Sequence, residues 1–212
     1  MDIVSGVLAT GCAAEGARYS IATHQRSEFS MIPSRFAERI RQIHQQLCIP
    51  DNYGQGTSLA LHEEPEALVS TEPDFYGREQ RLTPEAWAAW QSMKLRARAE
   101  GVEVFLISAF RSIDYQSQLI RKKLDAGQTI AQILCVNAAP GYSEHHTGRA
   151  IDIGTSGCPA LEEEFERTVA FDWLQRYAGE FGFILSYPRD NSCGISYEPW
   201  HWCYHGNPER TA

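Results

Sequence analysis

Positive charge is in deficit in this chain: 19 Lys and Arg stand against 27 Asp and Glu, a formal charge of −8, and the basic residues are scattered. A nucleic acid needs a basic stripe to neutralise its phosphates, so it is not expected as a partner. Long apolar runs are missing too. Nothing approaches the roughly 18 consecutive apolar residues of a membrane-spanning helix, so no integral membrane segment is expected. Cys12, Cys48, Cys135, Cys158, Cys193 and Cys203 include no Cys-x-x-Cys pair, which excludes a finger-type structural zinc site. Buried free thiols are the expectation; were the protein exported, Cys193 and Cys203, nearest in sequence, would be first candidates for a disulfide. A His-Glu-x-x-His helix is also absent, so any metal ligands must come from strands and loops. There is no internal repeat and no low-complexity tract.

What is there suits one domain: 212 residues can bury a sizeable core without staples. Residues 1–33 read as an N-terminal extension and 34–212 as a single domain. The segment Val4 to Cys12 ends in Ala-Thr-Gly-Cys, similar to a lipoprotein cleavage site, but it follows Asp2 and not a basic start, and its apolar run is short and Gly-broken. The expectation is therefore a cytoplasmic location, with the periplasm or cell envelope as the alternative.

Ser34 to Leu47 carries Phe36, Ile40, Ile43 and Leu47 at helical spacing behind a Ser cap. Residues 49–82 read as a long irregular connection with a short strand at Ser58 to Leu61. Thr83-Pro84-Glu85 starts a helix that runs to Glu100 before Gly101, with Trp87, Trp90 and Met93 facing the core. Val102 to Phe110 reads as a buried strand, Ile113 to Ala126 and Ile130 to Val136 as helices. Past Asp152, a helical region with Phe165, Val169, Trp173, Leu174 and Tyr177 on one face ends at Gly182, and strands follow at Phe183 to Tyr187 and Ile195 to Tyr204. The pattern predicts an α+β fold with a small, mainly antiparallel sheet flanked by helices.

Two clusters carry the chemistry: Ser143-Glu144-His145-His146-Thr147-Gly148-Arg149-Ala150-Ile151-Asp152, and Glu198-Pro199-Trp200-His201. Two imidazoles and a carboxylate can close three sides of a zinc ion, and a second carboxylate near the last imidazole can handle its water. Strand parity bears on this. His145 and Asp152 lie an odd number of positions apart, so a regular strand would put them on opposite faces; Gly148 offers the bend that lets them converge. Beyond it Ala150 and Asp152 share one face, and small Ala150 leaves room for an ion. Between Glu198 and His201 the break in regularity falls at Pro199.

Ser-x-His-x-x-Gly-x-Ala-x-Asp followed by Glu-Pro-Trp-His, with the strand-end segment Ser108-Ala109-Phe110-Arg111-Ser112, resembles the VanY-type D-alanyl-D-alanine carboxypeptidases, of the zinc peptidase group that includes lysostaphin-like and hedgehog-like folds. The likeness spans about 108–206. It implies that His145, Asp152 and His201 bind Zn2+, that Glu198 is the catalytic base, and that Arg111, Gln116 and Ser143 hold the substrate's carboxylate or scissile carbonyl. Tyr197 reads first as packing, yet stands next to Glu198 in sequence, close enough to line the cleft. A guanidinium fork suits a terminal carboxylate, so Arg111 would set exopeptidase specificity. The implied reaction is removal of C-terminal D-alanine from peptidoglycan stem peptides or muropeptides. Two positions depart from the pattern: Phe110 stands where Tyr is usual, and His146 where Gln is frequent, leaving His146 to compete for the metal, contact substrate or face solvent.

Other readings stay open. An L,D-carboxypeptidase acting on tetrapeptides in peptidoglycan recycling, an endopeptidase acting on cross-links, and a non-catalytic cell-wall peptide-binding module with structural zinc all share these residues. Glu198 speaks against the last, since a structural site needs no base. His24, His44, His62 and His205 read as surface or satisfied core groups, and Trp200 and Trp202 as packing. Oligomeric state is open.

Overall fold

The computed structural model describes residues 34–206. The N-terminal extension, with Cys12, His24 and the Val4 to Cys12 segment, and residues 207–212 lie outside the described residues.

Helix α1, Arg35–Gln46, is capped by the Ser34 hydroxyl, which accepts from the Ala37 N–H. It buries Ile40 and His44, and Leu47 just beyond it enters a cluster with Ile49, Ile120, Ile133 and Ala139. Residues 58–61 form no strand: Ser58 N–H donates to Ser192 and His62 N–H to Gly141, two isolated bonds to different loops that build no ladder. The connection instead holds a two-residue ribbon, β1 Val69–Ser70 antiparallel to β2 Arg81–Leu82.

Helix α2, Pro84–Ala99, starts on the Thr83 cap with Pro at its first position. Ala86, Trp90, Met93 and Ala97 recur on one face and are completely buried, while Trp87 is half-buried at the core's margin. Trp90 meets its polar requirement by donating from Nε1 to Glu72 at 2.9 Å.

The main sheet is formed by β3 Phe105–Ser108, β4 Ala150–Gly154, β5 Phe183–Leu185 and β6 His201–Tyr204, in the order β3-β4-β6-β5 and antiparallel throughout. This is the expected α+β architecture. All three strands of this sheet given bounds from the sequence pattern are shorter than expected: β5 stops at Leu185, and β3 and β6 start late for identifiable reasons. Phe105 already pairs with Gly154, the last residue of β4, so residues 102–104 have no partner. Residues 195–200 spend their bonds elsewhere: Ser196 N–H goes to Cys135, Glu198 N–H to Tyr187, and Pro199 has none.

Helices α3, Ile113–Asp125, and α4, Ile130–Val136, follow the expected bounds, and Thr129 with Gln132 closes a capping box on α4. The region after Asp152 is segmented. A 3-10 turn at Glu163–Arg167 buries Phe165; Thr168 then caps helix α5, Val169–Tyr177, whose inward face is Ala170, Phe171, Trp173 and Leu174. Val169, expected inside, is exposed because it opens the new helix on the far side. Among the described cysteines all five are free; only Cys203 is buried, and Cys48 and Cys135 are exposed, against the expectation of buried thiols. No helix of the described residues is long and apolar enough to cross a membrane.

Candidate metal centre and active site

The site is built where β3 ends and β6 begins, on either side of the middle of β4. Register places Asp152 on β4 opposite His201 on β6 and beside Ser108 at the end of β3. Asp152 and His201 are a cross-strand pair, so their side chains share one face. His145 arrives from outside the sheet, in a 3-10 turn at Glu144–Thr147 that Gly148 ends with φ +64°. That left-handed backbone favours glycine, and a Cβ there would also lie 2.6 Å from Leu68 Cδ2, forcing that side chain to shift. The bend expected at this residue is thus a left-handed turn that swings the chain from the 3-10 turn into β4.

The strand-end segment holds the histidines by their backs. His145 Nδ1–H donates to the Ala109 carbonyl at 2.6 Å, Arg111 N–H donates to the His145 carbonyl, and His146 Nδ1–H donates to the Arg111 carbonyl at 2.7 Å. A carbonyl only accepts, so the His145 proton is fixed on Nδ1 and the lone pair on Nε2. That Nε2 is buried and has no hydrogen-bond partner, 3.3 Å from Asp152 Oδ1. His201 uses its other nitrogen. Its Nε2 sits 2.9 Å from Glu144 Oε2, leaving Nδ1 to face Asp152 Oδ1 at 3.1 Å and Glu198 Oε2 at 3.8 Å. His145, Asp152 and His201 offer three ligand atoms within 4.8 Å of one another, all from buried residues. His146, equally buried, is turned to the Arg111 carbonyl and lies outside this group.

The electrostatics fit a cation. Burial and the Arg111 charge hold His145 down at about 4, a neutral ligand at pH 7. Burial also pulls on His201, but hydrogen bonds to Asp152 and Glu144 outweigh it and leave it raised to about 10: a proton occupies the place a dication would take. Burial opposes ionisation of Asp152, yet the two imidazoles keep its carboxyl far below the usual range. An uncompensated lone pair on His145, a carboxylate between two imidazoles, and a carboxylate orienting the second imidazole make a donor set suited to Zn2+, with the fourth position left open.

Glu198 reaches this point through a tight turn, in which His201 N–H returns to the Glu198 carbonyl and Trp202 Nε1 donates to Pro199. Burial raises its carboxyl to about 7, His201 and Arg111 pulling down and Asp152 and Glu144 pushing up. Two open cavities, of 520 and 400 Å³, meet at Asp152, Arg111 and Leu161. The first runs past Phe110 and Tyr115 toward Arg78; the second holds Glu198, Tyr197, Lys123 and Asn137. Arg111 Nε is buried without a partner. Tyr197 lies under the Arg189 guanidinium, 4.1 Å from its ring centre. Gln116 is buried and donates from Nε2 to the Ala138 carbonyl, and Ser143 is buried at the head of the 3-10 turn; neither lines the two cavities.

Known proteins are similar to this chain. Residues 79–207 match the VanY family, D-alanyl-D-alanine carboxypeptidase. The putative carboxypeptidase YodJ of Bacillus subtilis is 33% identical over 77% of this chain, and the bifunctional D-Ala-D-Ala dipeptidase and carboxypeptidase VanXYC of Enterococcus gallinarum is 34% identical over 71%. The chain belongs to the VanY family. The match spans 59% of the length of YodJ and 80% of VanXYC. Among solved structures, the LdcB LD-carboxypeptidase superposes with a TM-score of 0.62 at 33% identity, over 70% of this chain and 72% of LdcB.

Sequence reading of this VanY-family chain passed over Glu144 and Lys123. Glu144 sits between Ser143 and His145, and its bond to His201 spans 57 positions, so only tertiary contact reveals it. Lys123, in the cavity beside Glu198 and bonded to Asn137, reads in sequence as one of several basic residues ending α3.

Proposed function

We propose that this protein is a zinc-dependent carboxypeptidase that hydrolyses the bond before C-terminal D-alanine in peptidoglycan stem peptides. The observation that carries the reading is the bare, buried Nε2 of His145 facing Asp152 and His201, with Glu198 beside them. His145 through Nε2, His201 through Nδ1 and Asp152 through a carboxylate oxygen would hold the metal. Zinc in such a site supplies Lewis acidity, acidifying a water and stabilising negative charge on a carbonyl oxygen.

The remaining work falls to side chains. Glu198, raised to about 7, can take a proton from the attacking water and hand it to the leaving amine, which one group does best when its affinity for protons is near the working pH. Arg111, its Nε unpaired, is the guanidinium available to a terminal carboxylate, and places the last peptide bond against Glu198. Glu144 holds the His201 ring, and Ala109 the His145 ring, so neither rotates out of position.

The similarity to LdcB supports a second reading, an L,D-carboxypeptidase that trims tetrapeptides. Mass spectrometry of defined muropeptides after incubation with zinc-loaded protein decides between them. Loss of one alanine from pentapeptide, with tetrapeptide intact, supports the first reading. Loss from tetrapeptide supports the second, and no cleavage of either with metal bound refutes both.

A further inference from the structure

Among the described residues, one group of side chains outside the catalytic cluster can also hold a cation. Glu144, Cys203 and His205 bring a carboxylate oxygen, a thiol sulfur and an imidazole nitrogen within 4.8 Å of one another. Within β6, Cys203 lies two positions from His201 and so shares its side of the sheet, and His205 follows just past the strand's end at Tyr204. Cys203 pairs across the sheet with Ala150 on one side and Ile184 on the other. Cys203 is buried and His205 exposed, giving a site with an anchored sulfur and an open side toward solvent.

We propose that Glu144, Cys203 and His205 form a second cation site, for zinc or another sulfur-seeking divalent ion, and that its occupation restrains the catalytic centre. Sulfur, nitrogen and oxygen donors around a tetrahedral zinc lie about 3.3–3.8 Å apart, so the cluster needs only a modest closing, which the exposed His205 ring can make. Cation binding releases the Cys203 thiol proton to solvent and forms the metal–sulfur bond in its place. Glu144 links the two sites. One of its oxygens accepts from His201 Nε2, and a cation drawing on the same carboxylate lowers its charge and weakens its hold on that ring. The restraint on turnover rests on the proposed hydrolase function; the site itself does not.

Cobalt(II) and zinc titrations of the full-length protein test both parts. The catalytic cluster contains no sulfur, so a thiolate-to-cobalt charge-transfer band in the near ultraviolet reports binding to a thiol and not to the catalytic cluster. Wild type is expected to bind two equivalents of metal, the band growing with the second, and turnover is expected to fall about tenfold as that equivalent enters. His205→Ala, a surface change, should bind one equivalent and keep its turnover in excess zinc. Cys203→Ala should lose the band, which separates Cys203 from the other thiols. One equivalent with no band in wild type, or a band that survives Cys203→Ala, overturns the site. Two equivalents with undiminished turnover overturn the restraint. His205→Ala decides the matter if Cys203→Ala fails to fold.

Discussion

Replacing Glu144 separates orientation of a ligand from ligation itself. The carboxylate accepts from His201 Nε2 at 2.9 Å, and the ring it holds is 2% exposed, so water cannot replace the partner without a cavity opening. Partners of this kind are worth about 10–100-fold in metal affinity, or roughly 1.4–2.8 kcal/mol. Glu144→Gln retains an accepting oxygen and loses the charge, and should fall near the lower figure. Glu144→Ala leaves a buried N–H unpaired, a cost of about 1–3 kcal/mol, and should approach the upper one. The assay is competition for zinc between the metal-free protein and a chromophoric chelator, held below one equivalent so that only the tighter site fills. The expected order is wild type, then Gln, then Ala, with melting temperatures of the zinc-loaded proteins in the same order. Unchanged zinc affinity in Glu144→Ala would refute the argument that this carboxylate positions His201.

Glu198→Gln should bind zinc as wild type does and lose at least about 100-fold in kcat, the ordinary worth of a positioned general base; a variant with normal turnover would remove Glu198 from the reaction. Arg111→Ala should raise KM by about 10–100-fold for substrates with a free C-terminal carboxylate, and leave the KM of a C-terminally amidated peptide unchanged, since a charged hydrogen bond contributes about 1.5–3 kcal/mol. Metal uptake should depend on pH through His201. Its imidazolium stabilises the metal-free fold fully below the unfolded value of ~6.5, and the contribution is lost as pH rises through about 10. Zinc displaces that proton, so affinity should tighten by about tenfold per pH unit from pH 7 to 9, with release of a proton measurable by calorimetry in buffers of different ionisation enthalpy. Trp90→Ala, emptying a fully buried position on α2, should cost about 3–5 kcal/mol in urea unfolding; a loss below 1 kcal/mol would show that this helix face contributes little to the core.

Local physics made much of the architecture legible. Ser34, Thr83, Ser112 and Thr129 cap four of the helices that the sequence marks, because a side-chain oxygen satisfies the first free N–H groups wherever the chain is otherwise able to turn. The turn at Gly148 and the break at Pro199 were equally readable, as properties of single residues. Strand ends were not. Val102–Val104 and Ile195–Ser196 have strand composition, but a strand exists only where a neighbour offers a ladder, and β4 stops at Gly154.

Residue identities are enough to tell which side chains could gather a cation and which glycine would let them converge, since both follow from side-chain chemistry and backbone freedom at fixed positions. Which nitrogen of each imidazole faces the centre follows from contacts between distant segments. Carbonyl of Ala109 and carboxylate of Glu144, 36 and 57 positions away from the rings they hold, assign His145 its Nε2 and His201 its Nδ1. Hydrogen bonds between distant segments leave no periodicity in the chain, and the sheet that brings Ser108, Asp152 and His201 side by side is what makes them.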